Sequence, residues 1–428
     1  MPLQIRTLSS GFHVRFRPAL ILPGILMAAT GVGAGDLLTA SLAGSKIGVG
    51  IAWAAVIGAL LKWTLNEGIA RWQMATGTTM LEGWVHRLGA WVQWVFIVYL
   101  IIWSFSVGGA LVTACGVAGT GLLPVGDPAT SKIVWGITHS LVGLALVWVG
   151  GFRVFEVLMS ACIGLMFVTV LLTALLLGPD WNALARGMFF PAIPTGGVGW
   201  TLGVLGGVGG TVTLLSYGYW IRETGRHGRD GVATCRIDLA VGYTVTALFG
   251  VAMIIIGSRV ALDGKGASLA LILSSQLELA LGPAGKWAFL LGFWGAVFSS
   301  LLGVWQSDPY MFANFLALRK GVSPEAFQKS DIRRCTPYRA YLVGLAIVPL
   351  VLLWGSVAEV QLTYAVLGSF FLPLVALTLL LMNNRTDWVG PGFKSHPVIN
   401  AILVATLLFF GYTGGKKIIA TLGPILGG

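Results

Sequence analysis

Long apolar runs alternate with short polar connectors along the whole chain. A helix that crosses a bilayer needs about 20 mostly apolar residues. Eleven runs come near or exceed that length: 19–45, 47–70, 91–119, 132–151, 156–178, 198–220, 236–260, 284–306, 339–358, 361–383 and 397–413. They predict eleven spanning helices, with Trp and Tyr near many ends, as the two water interfaces favour. Short strands of alternating polarity do not occur, which argues against a membrane barrel. The first run stands apart because it is long and interrupted by glycines.

Composition turns this pattern into a class. Hydrophobic residues make up 56% of the 428 positions and charged residues about 10%, against about 25% charged in a typical soluble domain. Mean hydropathy is +0.85. A soluble chain of this length would form roughly three domains, but so little charge cannot coat three soluble surfaces. The expectation is one multi-span membrane domain over 1–428, embedded in lipid. The net charge of +11 is spread over connectors without interleaved aromatics, so no nucleic-acid partner is expected.

Those basic residues set an orientation. With the N-terminus in the cytoplasm, 18 of them fall on cytoplasmic segments and 8 on outer ones, leaving Lys62 inside a span. Cytoplasmic loops carry the excess of Lys and Arg, so the N-terminus is expected inside and the C-terminus outside, in the cell (inner) membrane. Arg6, Arg15 and Arg17 precede the first run without a small-residue cleavage site, which predicts no removable signal peptide. Cys115, Cys162, Cys235 and Cys335 form no CxxC pair, so neither a zinc site nor a disulfide framework is expected.

Two glycine clusters break the apolar background. One is Gly31-Val32-Gly33-Ala34-Gly35-Asp36 in the first span, followed by Thr39 and Ser41. The other is Gly206-Gly207-Val208-Gly209-Gly210-Thr211 in the sixth, followed by Thr213 and Ser216. Each glycine weakens a helix by about 1 kcal/mol relative to alanine, so both spans are predicted to unwind there. Unwound backbone at membrane depth is tolerated where it is buried in protein or lines a cavity. Spans 1 and 6 correspond if residues 19–178 and 198–383 are two five-helix repeats, with 397–428 an added helix and tail. Five is odd, so the second repeat is inverted. Paired broken spans in matching places point to a transporter's midplane site.

Intramembrane polar residues are few. Asp36 is a carboxylate within a span and a functional candidate for that reason. With freed carbonyls near Gly33 and Gly209 and the Thr39 and Thr213 hydroxyls, it offers oxygen ligands suited to hard cations. Glu67 is either a proton or cation carrier or the partner of Arg71 one turn on. Lys62 is expected to snorkel or pair. Gln361 either faces the cavity or anchors the tenth span. Span 3 has no Asp, Glu or His between Trp91 and Gly119, and span 8 ends in Ser299, Ser300, Gln306, Ser307 and Asp308. No His pair has ligand spacing and no catalytic motif is present, so neither enzyme activity nor a cofactor is expected.

Several motifs resemble the Nramp-type divalent-metal transporters. They are Pro23-Gly24-Ile25-Leu26 with the first glycine cluster, Ala70-Arg71-Trp72-Gln73-Met74-Ala75-Thr76-Gly77, Gly209-Gly210-Thr211-Val212, and Phe370-Phe371-Leu372-Pro373-Leu374 with Asn383-Asn384-Arg385. The resemblance implies an all-α LeuT-type fold with a 5+5 inverted repeat and broken helices 1 and 6. It also implies alternating-access transport of a divalent cation, coupled to a proton or sodium, by a monomer. The departures are specific. Where the family has Asp-Pro-Gly-Asn, with Asp and Asn as ligands, this chain reads Gly33-Ala34-Gly35-Asp36. The family's span 6 Met and His stand as Thr213 and Leu215, and its span 3 acids have no counterpart. Losing a thioether and keeping oxygens favours hard or partly hydrated ions such as Mg or Mn over soft ones. Two rival readings keep the architecture: a transporter of a small organic solute such as an amino acid, and a non-transporting scaffold.

Overall fold

A computed structural model describes residues 22–33, 37, 39–150, 152–207, 209–259 and 269–426. Among them every regular element is helical. The first run becomes α1 (Leu22–Gly31) and α2 (Ala40–Ile47), separated by the first glycine cluster. Then come α3 (Ala52–Thr76), α4 (Met80–Arg87), α5 (Ala90–Leu122), α6 (Pro128–Val149), α7 (Phe152–Leu176) and α8 (Trp181–Phe189). The sixth run is again two helices, α9 (Val198–Gly207) and α10 (Ser216–Glu223). It is followed by α11 (Gly228–Ser258), α12 (Leu269–Arg319, kinked at Gly282), α13 (Pro324–Lys329) and α14 (Thr336–Ile347). The chain ends with α15 (Val357–Ser369), α16 (Phe371–Met382), α17 (Thr386–Val389) and α18 (Pro397–Leu426).

Each of the eleven runs falls on a helix or a pair of helices. Among the described residues, eight helical stretches are long and apolar enough to cross a membrane. A ninth is added if Phe167–Leu176 and Trp181–Phe189, bent by 116° at their junction, form one span. Pro397–Tyr412 is a shorter apolar helix. The tenth run is interrupted at Phe370, between α15 and α16. The short helices α4 and α8 are additions that hydropathy did not predict. Local chemistry starts both. Thr79 and Glu82 form a reciprocal capping box on α4, and the Asp180 carboxylate accepts from the Asn182 and Ala183 N–H groups on α8.

Polarity runs inside-out relative to a soluble protein. Along α5, Trp91, Trp94, Val95, Val98, Ile101, Ile102 and Phe105 are exposed at helical spacing, a face that suits lipid. Lys62, Glu67, Glu82, Asp238 and Asp308 are buried. The broken first span packs along α11 through glycines on both partners. A Cβ on Gly242 would lie 2.5 Å from the Gly24 carbonyl oxygen, and one on Gly257 would lie 2.0 Å from that of Ser41. Small residues let helix backbones approach closely in a bilayer, so these glycines are packing devices.

Candidate functional site

The two breaks differ in detail. In the first span α1 ends at Gly31, the Val32 N–H donates to the Ala28 carbonyl (2.7 Å), and the Leu37 N–H donates to the Gly33 carbonyl (2.9 Å). One lone pair of the Gly33 oxygen is therefore engaged. Asp36, the predicted charge-bearing ligand, lies outside the described residues.

The second break is sharper. Gly209 and Gly210 have φ of +79° and +78°. Two consecutive left-handed residues are costly for any residue with a Cβ, and glycine adopts them freely. The chain resumes as a 3-10 turn, Val212–Leu215, before α10. Lys62 of α3 is fully buried, and its Nζ donates to the Gly206 carbonyl at 2.8 Å. The C-terminal end of α9 carries unsatisfied carbonyls and partial negative charge, which a buried ammonium satisfies. Of the two expectations for Lys62, snorkelling or pairing, the structure shows no snorkelling: the ammonium is held by a bond at the break.

The breaks meet. A Cβ on Gly31 would lie 2.8 Å from the Gly209 carbonyl carbon, so the two backbones touch. Gly33 backs onto α12 and α5: a Cβ there would lie 2.1 Å from Ser300 Oγ and 3.6 Å from Leu111 Cδ2. Ser300 and Ser299 donate to the Thr30 and Ala29 carbonyls at 2.7 and 3.1 Å, tying α12 to the end of α1. Thr213 folds back on Gly210, whose missing Cβ would lie 2.4 Å from Thr213 Oγ1. Thr211 lies against Gly368 of α15, and Thr39 against Gly203 of α9. Gln361 reaches span 3 rather than the water interface: it is buried, and its Nε2 donates to the Ala110 carbonyl at 2.8 Å, next to Leu111.

The region holds an excess of unmatched oxygen. The Oγ atoms of Thr30, Thr39, Thr211, Thr213 and Ser216, and the Gln361 Oε1, are buried without a hydrogen-bond partner. Buried polar groups are normally bonded, and each exception calls for an explanation. Among the described residues no three His, Cys, Asp or Glu side chains gather. The polar atoms of this region are hydroxyl, carbonyl and amide oxygens.

Glu67 sits elsewhere. Both its oxygens receive N–H bonds from Arg71, and Oε1 also accepts from Arg236 Nε at 2.9 Å. This ties α3 to α11. Two further buried pairs were not legible in the sequence. Arg222 of α10 grips Glu82 of α4 through two bonds of 3.1 and 2.7 Å, while Arg226 and Tyr217 hold Asp238, which also accepts from the Gly24 N–H. Arg222 and Glu82 are 140 residues apart and Arg226 and Asp238 are 12 apart, so no helical-turn spacing relates either pair.

Comparisons with known proteins identify the family and the fold. The family model described as natural resistance-associated macrophage protein-like matches residues 24–419. An uncharacterized protein of Pasteurella multocida (strain Pm70) is 23% identical over 84% of this chain and 83% of its own length. The manganese transporter of Eremococcus coleocola, solved with an aromatic bis-isothiourea compound, superposes with a TM-score of 0.74. It is 17% identical, covering 97% of this chain and 90% of that one. MhsT bound to L-phenylalanine superposes with a TM-score of 0.56 and 16% identity, covering 94% of this chain and 99% of that one. The architecture is the LeuT-type fold.

Proposed function

The chain belongs to the natural resistance-associated macrophage protein-like (Nramp) family, and from that premise we propose that it is a secondary-active transporter of a divalent cation. The ion is hard or partly hydrated, Mg or Mn being the fitting examples, and it moves by alternating access around the first and sixth spans. Residues 19–178 and 198–383 are the two inverted repeats in this reading, 397–428 an added helix and tail. The N-terminus is cytoplasmic and the C-terminus outside. The observation that carries the proposal is the meeting of two glycine breaks, Gly31 against Gly209, amid buried hydroxyls that lack partners.

Asp36 supplies the negative charge in this reading. Thr39, Thr213 and Gln361 contribute oxygens beside it, with backbone at Gly33 and Gly209. The set contains no thioether and no imidazole, and oxygen donors suit hard cations. Mg dehydrates reluctantly and usually keeps several waters, which matches a site built from few charged groups. Lys62 adds a fixed positive charge next to the break, a second reason for an ion that keeps part of its shell. Glu67 acts as an interhelical clamp with Arg71 and Arg236.

Thermal unfolding of the purified protein separates the rival substrates. Manganese or magnesium salts are expected to raise the midpoint, and zwitterionic amino acids to leave it unchanged. Stabilisation by an amino acid with no response to either metal would overturn the cation reading in favour of an organic solute.

A further inference from the structure

Four carboxylates are buried among the described residues: Glu67, Glu82, Asp238 and Asp308. Three are matched by arginine, namely Glu67 by Arg71 and Arg236, Glu82 by Arg222, and Asp238 by Arg226. Asp308 of α12 is not. Its bonds among the described residues are to hydroxyls, from Ser104 Oγ to Oδ2 at 2.9 Å and from Ser307 Oγ to Oδ1 at 3.5 Å. A lone carboxylate is costly to bury at membrane depth, where such residues mark ion or proton paths.

The surroundings extend this into a route. Tyr341 Oη of α14 donates to Ser104 Oγ at 2.8 Å, so Tyr341, Ser104 and Asp308 form one chain of hydrogen bonds across three helices. Ser104 and Tyr341 both line a cavity of about 350 Å³ between α5, α12 and α14, completed by apolar groups such as Ile101, Phe105 and Phe312. Gly344, on its wall, has open space where a side chain would project. In the other direction Asp308 lies eight residues from Ser300, about 12 Å along α12 at 1.5 Å per residue. Ser300 is the residue that bonds Thr30 and backs onto Gly33.

We propose that Asp308 is the proton-binding site of this transporter, loaded through Ser104 and Tyr341. The inference rests on the transport reading only for what the proton does, not for where it binds. Both hydroxyls already donate toward the carboxylate. A proton arriving on the Tyr341 oxygen lets Tyr341 pass its own proton to Ser104 and Ser104 pass its own to Asp308. One proton enters and one arrives, and both hydroxyls are restored with their bonds reversed.

Tyr341 is the titratable group that faces Asp308 from α14, where Tyr338 reaches the Gln306 carbonyl and Arg339 stacks over Trp148. From α5 Ser104 faces it, in a stretch without charged residues. Several other charged or titratable groups on packed elements have partners of their own. Glu82 of α4 is with Arg222, and His139 of α6 bonds Trp294. The α13–α14 connector carries Arg333 and Arg334, paired with Asp331. The start of α7 carries Arg153 and Glu156, and α13 carries Glu325 and Lys329.

Infrared difference spectroscopy between acidic and alkaline pH, on protein reconstituted in liposomes, reads the proton directly. Wild type is expected to show the carbonyl stretch of a protonated carboxyl. That band should be lost in Asp308→Asn and shifted in Ser104→Ala, which keeps the carboxyl but removes its hydroxyl donor. A band that persists in Asp308→Asn overturns the assignment. If Asp308→Asn does not fold, an unshifted band in Ser104→Ala overturns it instead. In the same liposomes, Asp308→Asn is expected to keep stabilisation by manganese and lose manganese-driven acidification of the lumen; acidification at the wild-type level contradicts the proposal. Wild-type liposomes that take up no divalent cation would remove the transport reading while leaving the infrared test of Asp308 in force.

Discussion

At the scale of single residues, Lys62 and Asp36 show what a sequence can and cannot disclose. Asp36 is visible at once because a carboxylate inside an apolar run is rare. Lys62 is equally rare, yet its role depends on the carbonyl of Gly206, 144 positions away. Removing the ammonium leaves that carbonyl buried without its donor, a loss of about 1–3 kcal/mol. Lys62→Met is therefore expected to lower the thermal midpoint in detergent, whereas an unchanged midpoint would mean that the bond contributes nothing. In the sequence Asp308 is distinguished only as the end of a polar stretch. Its isolation emerges once the three other buried acids are seen to hold arginines, and of those pairings only Glu67 with Arg71 is one helical turn apart.

At the scale of elements, the glycine breaks were the most legible feature. Their reason is local: consecutive glycines weaken a helix, and Gly209 and Gly210 take a left-handed backbone. Other glycines fill a different role, pressing the first span onto α11, and composition alone could not sort the two kinds. Gly210→Ala tests the distinction. The left-handed conformation costs a residue with a Cβ about 1–2 kcal/mol, and the new methyl would meet Thr213 Oγ1. The variant is expected to unfold at lower temperature and to lose metal uptake; full uptake would show that the break need not hold this shape. The helices α4 and α8 escaped hydropathy because they are short. Their capping residues, Thr79 with Glu82 and Asp180, were the available signal.

At the scale of the whole molecule, the scarcity of charge and the eleven apolar runs gave a multi-pass membrane protein, and the resemblance of the motifs implied its LeuT-type fold. Periodicity mattered little, because helices buried in protein and lipid are apolar on most faces. Orientation rests on the asymmetry of basic connectors. Cys335 is partly exposed in a connector on the side assigned to the cytoplasm, while Cys115, Cys162 and Cys235 are buried. A membrane-impermeant maleimide is expected to label Cys335 in inside-out vesicles and not in right-side-out ones. An Ala129→Cys variant, at an exposed position before the fourth span, should show the reverse. Labelling of Cys335 from the outer face would invert the topology.

The central claim is that the first and sixth spans hold a cation on oxygen ligands, with Asp36 bearing the charge. Uptake of manganese and magnesium into proteoliposomes, wild type against Asp36→Ala, tests it most directly. The account predicts saturable uptake by wild type and its loss in Asp36→Ala, with the variant still folded by thermal unfolding. Undiminished uptake by Asp36→Ala would contradict it.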